Sequence, residues 1–144
     1  MASRSERLQP AVDQAQRRQK DALQRLAEQQ QKLAHAEQQL DELKRYRNDY
    51  SVADGGLTVS ALLNRQQFVD RIDQAIVQQS RLVERMQRQV DGARDRWLLA
   101  HARENALDTV VDRLRKQEDL REQRLEQAEV DERMQHRNRR RGAP

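Results

Sequence analysis

The side chains best suited to metal ligation or proton transfer are His35, His101 and His136, and they stand far apart in the chain. None has a second His or a Cys at the spacing a metal site needs. Cysteine is absent, which removes thiol nucleophiles and disulfides and fits a reducing compartment. Gly55-Gly56 lacks the Gly-x-x-x-x-Gly-Lys continuation of a phosphate loop. Acidic residues are abundant, but they are spread over helix faces and read as solvated surface. Arg137, Arg139, Arg140 and Arg141 could touch phosphates. Upstream of them, however, Glu118, Asp119, Glu122, Glu126, Glu129, Asp131 and Glu132 interleave with Arg, and no aromatic stands ready to stack a base. The chain is therefore read as having no catalytic residue, metal, cofactor, small-molecule substrate or nucleic-acid partner.

What remains is binding chemistry, and it is concentrated in the aromatics. Aromatic residues are only 3% of the chain, and Tyr46, Tyr50 and Phe68 cluster around one short interruption. That interruption is Ala53-Asp54-Gly55-Gly56-Leu57-Thr58, where Gly-Gly removes helix propensity and supplies residues free to take positive φ. Thr58 is the expected N-cap of a new helix, with Leu57 and Leu62 at the positions of a hydrophobic staple.

The elements that must position these rings are two long helices. Charged residues are 36% and apolar residues 35%, many of the latter Ala. That is too little for a thick core but enough for the narrow seam of a coiled coil. Spacings of four and three alternate without a slip through Leu8, Val12, Ala15, Gln19, Ala22, Leu26, Gln29, Leu33, Ala36, Leu40, Leu43, Arg47 and Tyr50. A second seam runs through Leu62, Arg65, Val69, Ile72, Ile76, Gln79, Val83, Met86, Val90, Ala93, Trp97, Ala100, Glu104, Leu107, Val111 and Leu114, then decays through Leu125 and Ala128. The expected fold is all-α: a long antiparallel two-helix coiled coil, or helical hairpin, with an overhanging second helix. The boundaries read as a polar arm over residues 1–9, a helix over 10–52 starting near Pro10, a loop over 53–58, a helix over 59–138 and a basic tail over 139–144. Gly92, inside the second helix, reads as a tolerated surface glycine.

A short loop predicts a register in which Ala15 faces Trp97, Leu26 faces Met86, Leu40 faces Ile72, and Tyr50 faces Leu62. Small residues then repeatedly oppose large ones. The same register sets Arg47 against Arg65, its worst rung. At about 1.5 Å per residue the helices would be roughly 65 and 110 Å long, so the second overhangs from Leu114 onward. Tyr46 and Phe68 both fall at g positions, whose edges adjoin in an antiparallel pair, and Gln39 and Ala75 continue that flank. A net charge of +4, from 28 Lys+Arg against 24 Asp+Glu, describes a mixed-sign surface. There is no run of about 18 apolar residues and no signal-peptide core at the N-terminus. A soluble, cytoplasmic protein is expected, monomeric in isolation.

The stretches Ala36-Glu37-Gln38-Gln39-Leu40-x-x-Leu43-x-x-Tyr46-x-x-x-Tyr50 and Gln67-Phe68-x-x-x-Ile72-Asp73-x-Ala75-Ile76, with the lone Trp97, resemble the FliJ family, the coiled-coil component of the flagellar type III export apparatus. Lys is sparse here against Arg, a bias of composition. The resemblance implies a stalk-like rod that binds the flagellar export ATPase hexamer and the cytoplasmic domain of the export gate and assists cycling of export chaperones. It places the protein in the cytoplasm, peripherally associated with the inner membrane at the flagellar basal body. It implies that Gln39, Leu43, Tyr46, Tyr50, Phe68, Ile72, Ala75 and Gln79 face the gate. Leu8, Val12, Ala15, Trp97, Leu107, Leu114 and Leu125 would face the ATPase. The readings beside it are the stalk protein of a virulence type III system, a structural coiled-coil scaffold, and a basic coiled coil on nucleic acid or membrane.

Overall fold

The computed structural model describes residues 2–52 and 58–142, and two helices account for nearly all of them: α1, Arg4–Val52, and α2, Val59–Arg141. They pack against each other as an all-α helical hairpin. Helix α1 starts well before Pro10. Ser3 Oγ accepts the Glu6 N–H at 3.3 Å, and the Ser3 N–H donates to Glu6 Oε2 at 3.3 Å. This is a capping box, which satisfies the orphan donors of the first turn. The polar arm expected over 1–9 is thus helical from Arg4, and Pro10 lies inside α1. A proline there removes one backbone hydrogen bond. The box and the contact of Ser5 with Glu118, described below, offset that loss.

Helix α2 begins as the sequence indicates: Thr58 Oγ1 accepts the Ala61 N–H at 3.2 Å and Thr58 O the Leu62 N–H at 2.9 Å. The Gly-Gly turn and the Leu57 half of the staple lie outside the described residues. At the far end α2 runs through the basic tail to Arg141, three residues past its expected end. Gly142 follows, its N–H on Asn138 O at 3.1 Å, in the position where glycine most often ends helices.

The seams read from spacing are the seams that pack. Every α1 position from Leu8 to Tyr50 in the four-three series is buried or half-buried, as is every α2 position from Arg65 to Leu114. Two further steps continue the series at the same end: Ser5, 5% exposed, and Glu118, half-buried. Leu62, expected opposite Tyr50, is 49% exposed.

The chain divides into two compact units, residues 19–99 and residues 1–18 with 100–144. In the first, Leu26, Val90 and Ala93 form a buried cluster with Leu33 and Trp97 packed against it. Arg47 pairs with Asp73, and Gln79 Nε2 donates to Ala36 O at 3.0 Å and Gln39 Oε1 at 3.2 Å. In the second, Val12, Ala15 and Val111 are buried, and Ser5 meets Glu118. The Ser5 N–H donates to Glu118 Oε1 at 3.1 Å and Ser5 Oγ to Oε2 at 2.7 Å.

These partners correct the expected register. Arg47 was set against Arg65 and meets Asp73; Leu26 was set against Met86 and packs with Val90 and Ala93; Trp97, set on Ala15, packs on the Leu26 cluster. In the first unit the partner on α2 lies further along the chain by about one heptad, the step that leaves every seam residue in the seam, and in the second Ser5 reaches Glu118, also beyond its expected partner. The shift exchanges a like-charge rung for an ion pair. It also leaves the first turns of α2 beyond the end of α1, where Val59 and Leu63 are 74% and 61% exposed. Because Ser5 reaches Glu118, the α2 overhang starts after Glu118 and not at Leu114, which is half-buried.

Three outcomes check this description. Asp73→Arg should lower stability and Arg47→Asp in the same chain should restore it, as their ion pair requires, and a disulfide between Leu40→Cys and Ile72→Cys should fail to close. Efficient closure of that disulfide would restore the shorter register. A Cβ at Gly92 would meet nothing nearer than Arg96 Nη1 at 3.8 Å. Gly92→Ala should therefore raise stability by about 0.5–1 kcal/mol through helix propensity, read from the urea midpoint. Ser5 also holds the Glu118 carboxyl below the usual carboxylate range, by its hydroxyl first and its N–H second. A depressed carboxylate stabilises the fold above its unfolded-state value and ceases to do so as pH falls through the folded one. Exchange protection of the Ser5 amide should accordingly be full at neutral pH and disappear on acidification, and Glu118→Ala should abolish it at neutral pH.

Candidate interaction surfaces

Among the described residues no group of His, Cys, Asp or Glu is arranged to hold a metal ion, and no helix is long and apolar enough to cross a membrane.

The first surface belongs to the unit of residues 19–99. Tyr46 and Tyr50 are four apart on α1, so they share a face, and α2 brings Phe68 to them. The ring centroids stand 5.2 Å apart for Tyr46–Tyr50, 4.6 Å for Tyr50–Phe68 and 6.1 Å for Tyr46–Phe68. These are tilted and edge-on arrangements that aromatic quadrupoles favour. Tyr46 is 49% exposed while Tyr50 and Phe68 are half-buried, so the cluster is anchored from beneath and open from outside. A hydrogen bond with Tyr50 raises the Tyr46 phenol above its ordinary pKa. The ion pair with Asp73 likewise raises Arg47 and fixes the α1–α2 spacing nearby. An open groove of about 420 Å³ continues from the rings, lined by Gln39, Glu42, Leu43, Tyr46 and Gln79.

Of the residues that the resemblance points toward the gate, the structure brings Tyr46, Tyr50 and Phe68 into one cluster and Gln39, Leu43, Tyr46 and Gln79 into one groove. Ala75 is half-buried. Ile72 is 6% exposed and belongs to the seam, where it supports the surface from within. Glu42 is the lining residue that the sequence reading passed over. Its place one turn before Tyr46 was the available signal.

The second surface lies on the other unit. Leu8, Leu107 and Leu114 are half-buried along the seam, and Val12 and Ala15 are only 6% and 8% exposed. Val12 and Ala15 are therefore core residues and not contact residues while the helices stay paired. Ser3, Arg4, Leu114, Gln117, Glu118 and Arg121 border a shallow cleft around the Ser5–Glu118 contact. From Asp119 to Gly142 every residue is exposed, including Leu120 at 53%, Leu125 at 60%, Val130 at 45% and Met134 at 63%. Trp97 is set apart from this group, half-buried on the Leu26 cluster of the first unit. The Ser5–Glu118 contact went unread in the sequence, although Ser3-Arg4-Ser5-Glu6 carries the capping-box signature that would have extended α1 toward it.

Comparison with known proteins matches residues 4–143 to the family model described as Flagellar FliJ protein. The Flagellar FliJ protein of Escherichia coli (strain K12) is 31% identical over 125 residues, covering 83% of this chain and 85% of that protein. A family model that matches nearly the whole chain, together with a relative aligned over most of its length, decides the question: the chain belongs to the FliJ family of flagellar proteins.

Proposed function

We propose that this protein is a non-enzymatic, stalk-like component of the flagellar type III export apparatus. On this reading it works in the cytoplasm at the inner-membrane face of the flagellar basal body. It binds the cytoplasmic domain of the export gate through the Tyr46–Tyr50–Phe68 cluster and the Gln39–Gln79 groove. It binds the export ATPase hexamer through the seam end near Leu8, Leu107 and Leu114 and the exposed length of α2 around Leu125. It also assists the cycling of export chaperones.

The observation that carries this reading is the ring cluster on a chain of this family. Aromatics are scarce here, yet three of them meet beside a groove with one ring open to solvent. Aromatic anchors of this kind supply most of the energy in protein interfaces. The unshielded α2 residues beyond Glu118 support a second, separate contact, since a helix alone in water gains nothing from packing.

The two surfaces lie on different units and are separable by mutation. Tyr46→Ala with Phe68→Ala should weaken binding to the gate domain by at least about 30-fold, the equivalent of a 2 kcal/mol hot spot. It should leave the ATPase interaction intact. Truncation after Arg121, which spares the Ser5–Glu118 contact, should do the reverse. Both variants should keep their helical circular dichroism. Equal weakening of both partners by either change, in a folded protein, would sink the assignment.

A further inference from the structure

The exposed length of α2 carries a charge pattern that the proposed function does not use. Between Asp119 and Arg141 every acidic residue precedes Arg133, and from Arg133 onward the only ionisable residues are five arginines and His136. Successive residues of an α-helix are turned by about 100°. Glu122, Glu126, Glu129, Arg133, Arg137 and Arg140 therefore fall on one narrow stripe, acidic in its first half and basic in its second. All six are exposed. Asp131, at the centre of the run, lies on the opposite side of the helix. Leu125 and Val130, 60% and 45% exposed, border the stripe on its two sides.

Local helix energetics account for only part of this. Arg139, Arg140 and Arg141 in the last turn complement the helix dipole, but Arg133 and Arg137 lie upstream of that turn. Glu122 and Glu126 are like charges four apart, a mildly unfavourable pair on an isolated helix. Arg137, Arg140 and Arg141 have no acidic residue three or four positions before them. Apart from Glu129 and Arg133, which stand four apart in the favourable order, the stripe is poorly matched to itself within one helix and well matched to its own reverse.

We infer that two copies of this chain pair through these stripes, antiparallel and about a two-fold axis near Asp131. In that arrangement Glu129 faces Arg133 of the second copy, Glu126 faces Arg137, and Glu122 faces Arg140. The axis repeats each pair, as an isologous contact requires. Closing the contact also shields Leu125 and Val130. Exposed ion pairs are individually weak, so the association is salt-sensitive and belongs to high protein concentration. Self-association through the overhang departs from the monomeric state expected from the sequence. The inference does not rest on the export reading, though a paired overhang is unavailable to any other partner.

The test is sedimentation of the full chain and two charge-reversed variants, at low and high salt. The wild type should self-associate at low salt and dissociate at high salt, where screening is nearly complete. Glu122→Arg/Glu126→Arg/Glu129→Arg and Arg133→Glu/Arg137→Glu/Arg140→Glu should each weaken self-association at least tenfold. An equimolar mixture of the two should recover it as a heterodimer. If a triple reversal lowers the helical signal, Glu129→Arg and Arg133→Glu carry the same mixing test. A wild type that stays monomeric at low salt overturns the inference, even if the basic end captures DNA or another protein. So does self-association that survives both reversals, or folded variants that fail to combine.

Discussion

Two helices that share a single seam have no other source of tertiary stability, and everything else in this structure follows from that constraint. Among the described residues the buried apolar ones are few: Val12, Ala15, Leu26 and Ala36 on α1, with Ile72, Val90, Ala93 and Val111 on α2. A seam of this kind is indifferent to sliding by a heptad, because a displacement of about 10 Å returns each side chain to an equivalent position. Polar contacts break the degeneracy. Arg47 on Asp73, Gln79 on Ala36 and Gln39, and Ser5 on Glu118 exist in one register alone. Each is weak beside the whole seam but decisive between alternatives whose apolar terms are the same.

The same reasoning separates what was legible in the sequence from what was not. Helix type, the seam residues and the Thr58 cap are local signals, and the structure follows the seam from Leu8 to Tyr50 and from Arg65 to Leu114, with Leu62 left exposed. The register is a relation between segments, written only in polar pairs, and a short-loop argument chose the neighbouring solution. The clash it created, Arg47 against Arg65, was itself the sign of a wrong register. The start of α1 was misplaced for a different reason: Pro10 is a strong marker of a first turn, but Ser3 and Glu6 close a capping box ahead of it. The meeting of Tyr46 and Phe68 was foreseen, whereas Tyr50, set against Leu62, is the ring nearer to Phe68. Ile72, Val12 and Ala15 were placed on contact surfaces by resemblance, which carries position without exposure, and the seam takes them inside.

The contact of Ser5 with Glu118 shows how a small polar feature sets the extent of a fold. Its carboxylate accepts a backbone N–H from the first turn of α1, where the helix dipole favours negative charge. The hydroxyl supplies a second bond. Together they hold a turn that a proline immediately downstream would otherwise discourage. They also decide where α2 loses its neighbour, and so how much of it stands exposed.

Beyond that point the helix persists on local terms alone. Gln127 bonds Asp131 at 3.2 Å across one turn, Arg139–Arg141 complement the dipole, and Gly142 ends the run. Such terms are worth a few tenths of a kcal/mol each, so a lone stretch of this length is only marginally helical in water. Docking onto a partner must order it further, whereas the aromatic flank is already held by the seam beneath it. Binding at the overhang should therefore carry an entropic cost of ordering that binding at the rings does not. Of the two contacts proposed above, the overhang's would then be the more readily released, and the one whose occupancy responds most to salt, temperature and competing partners.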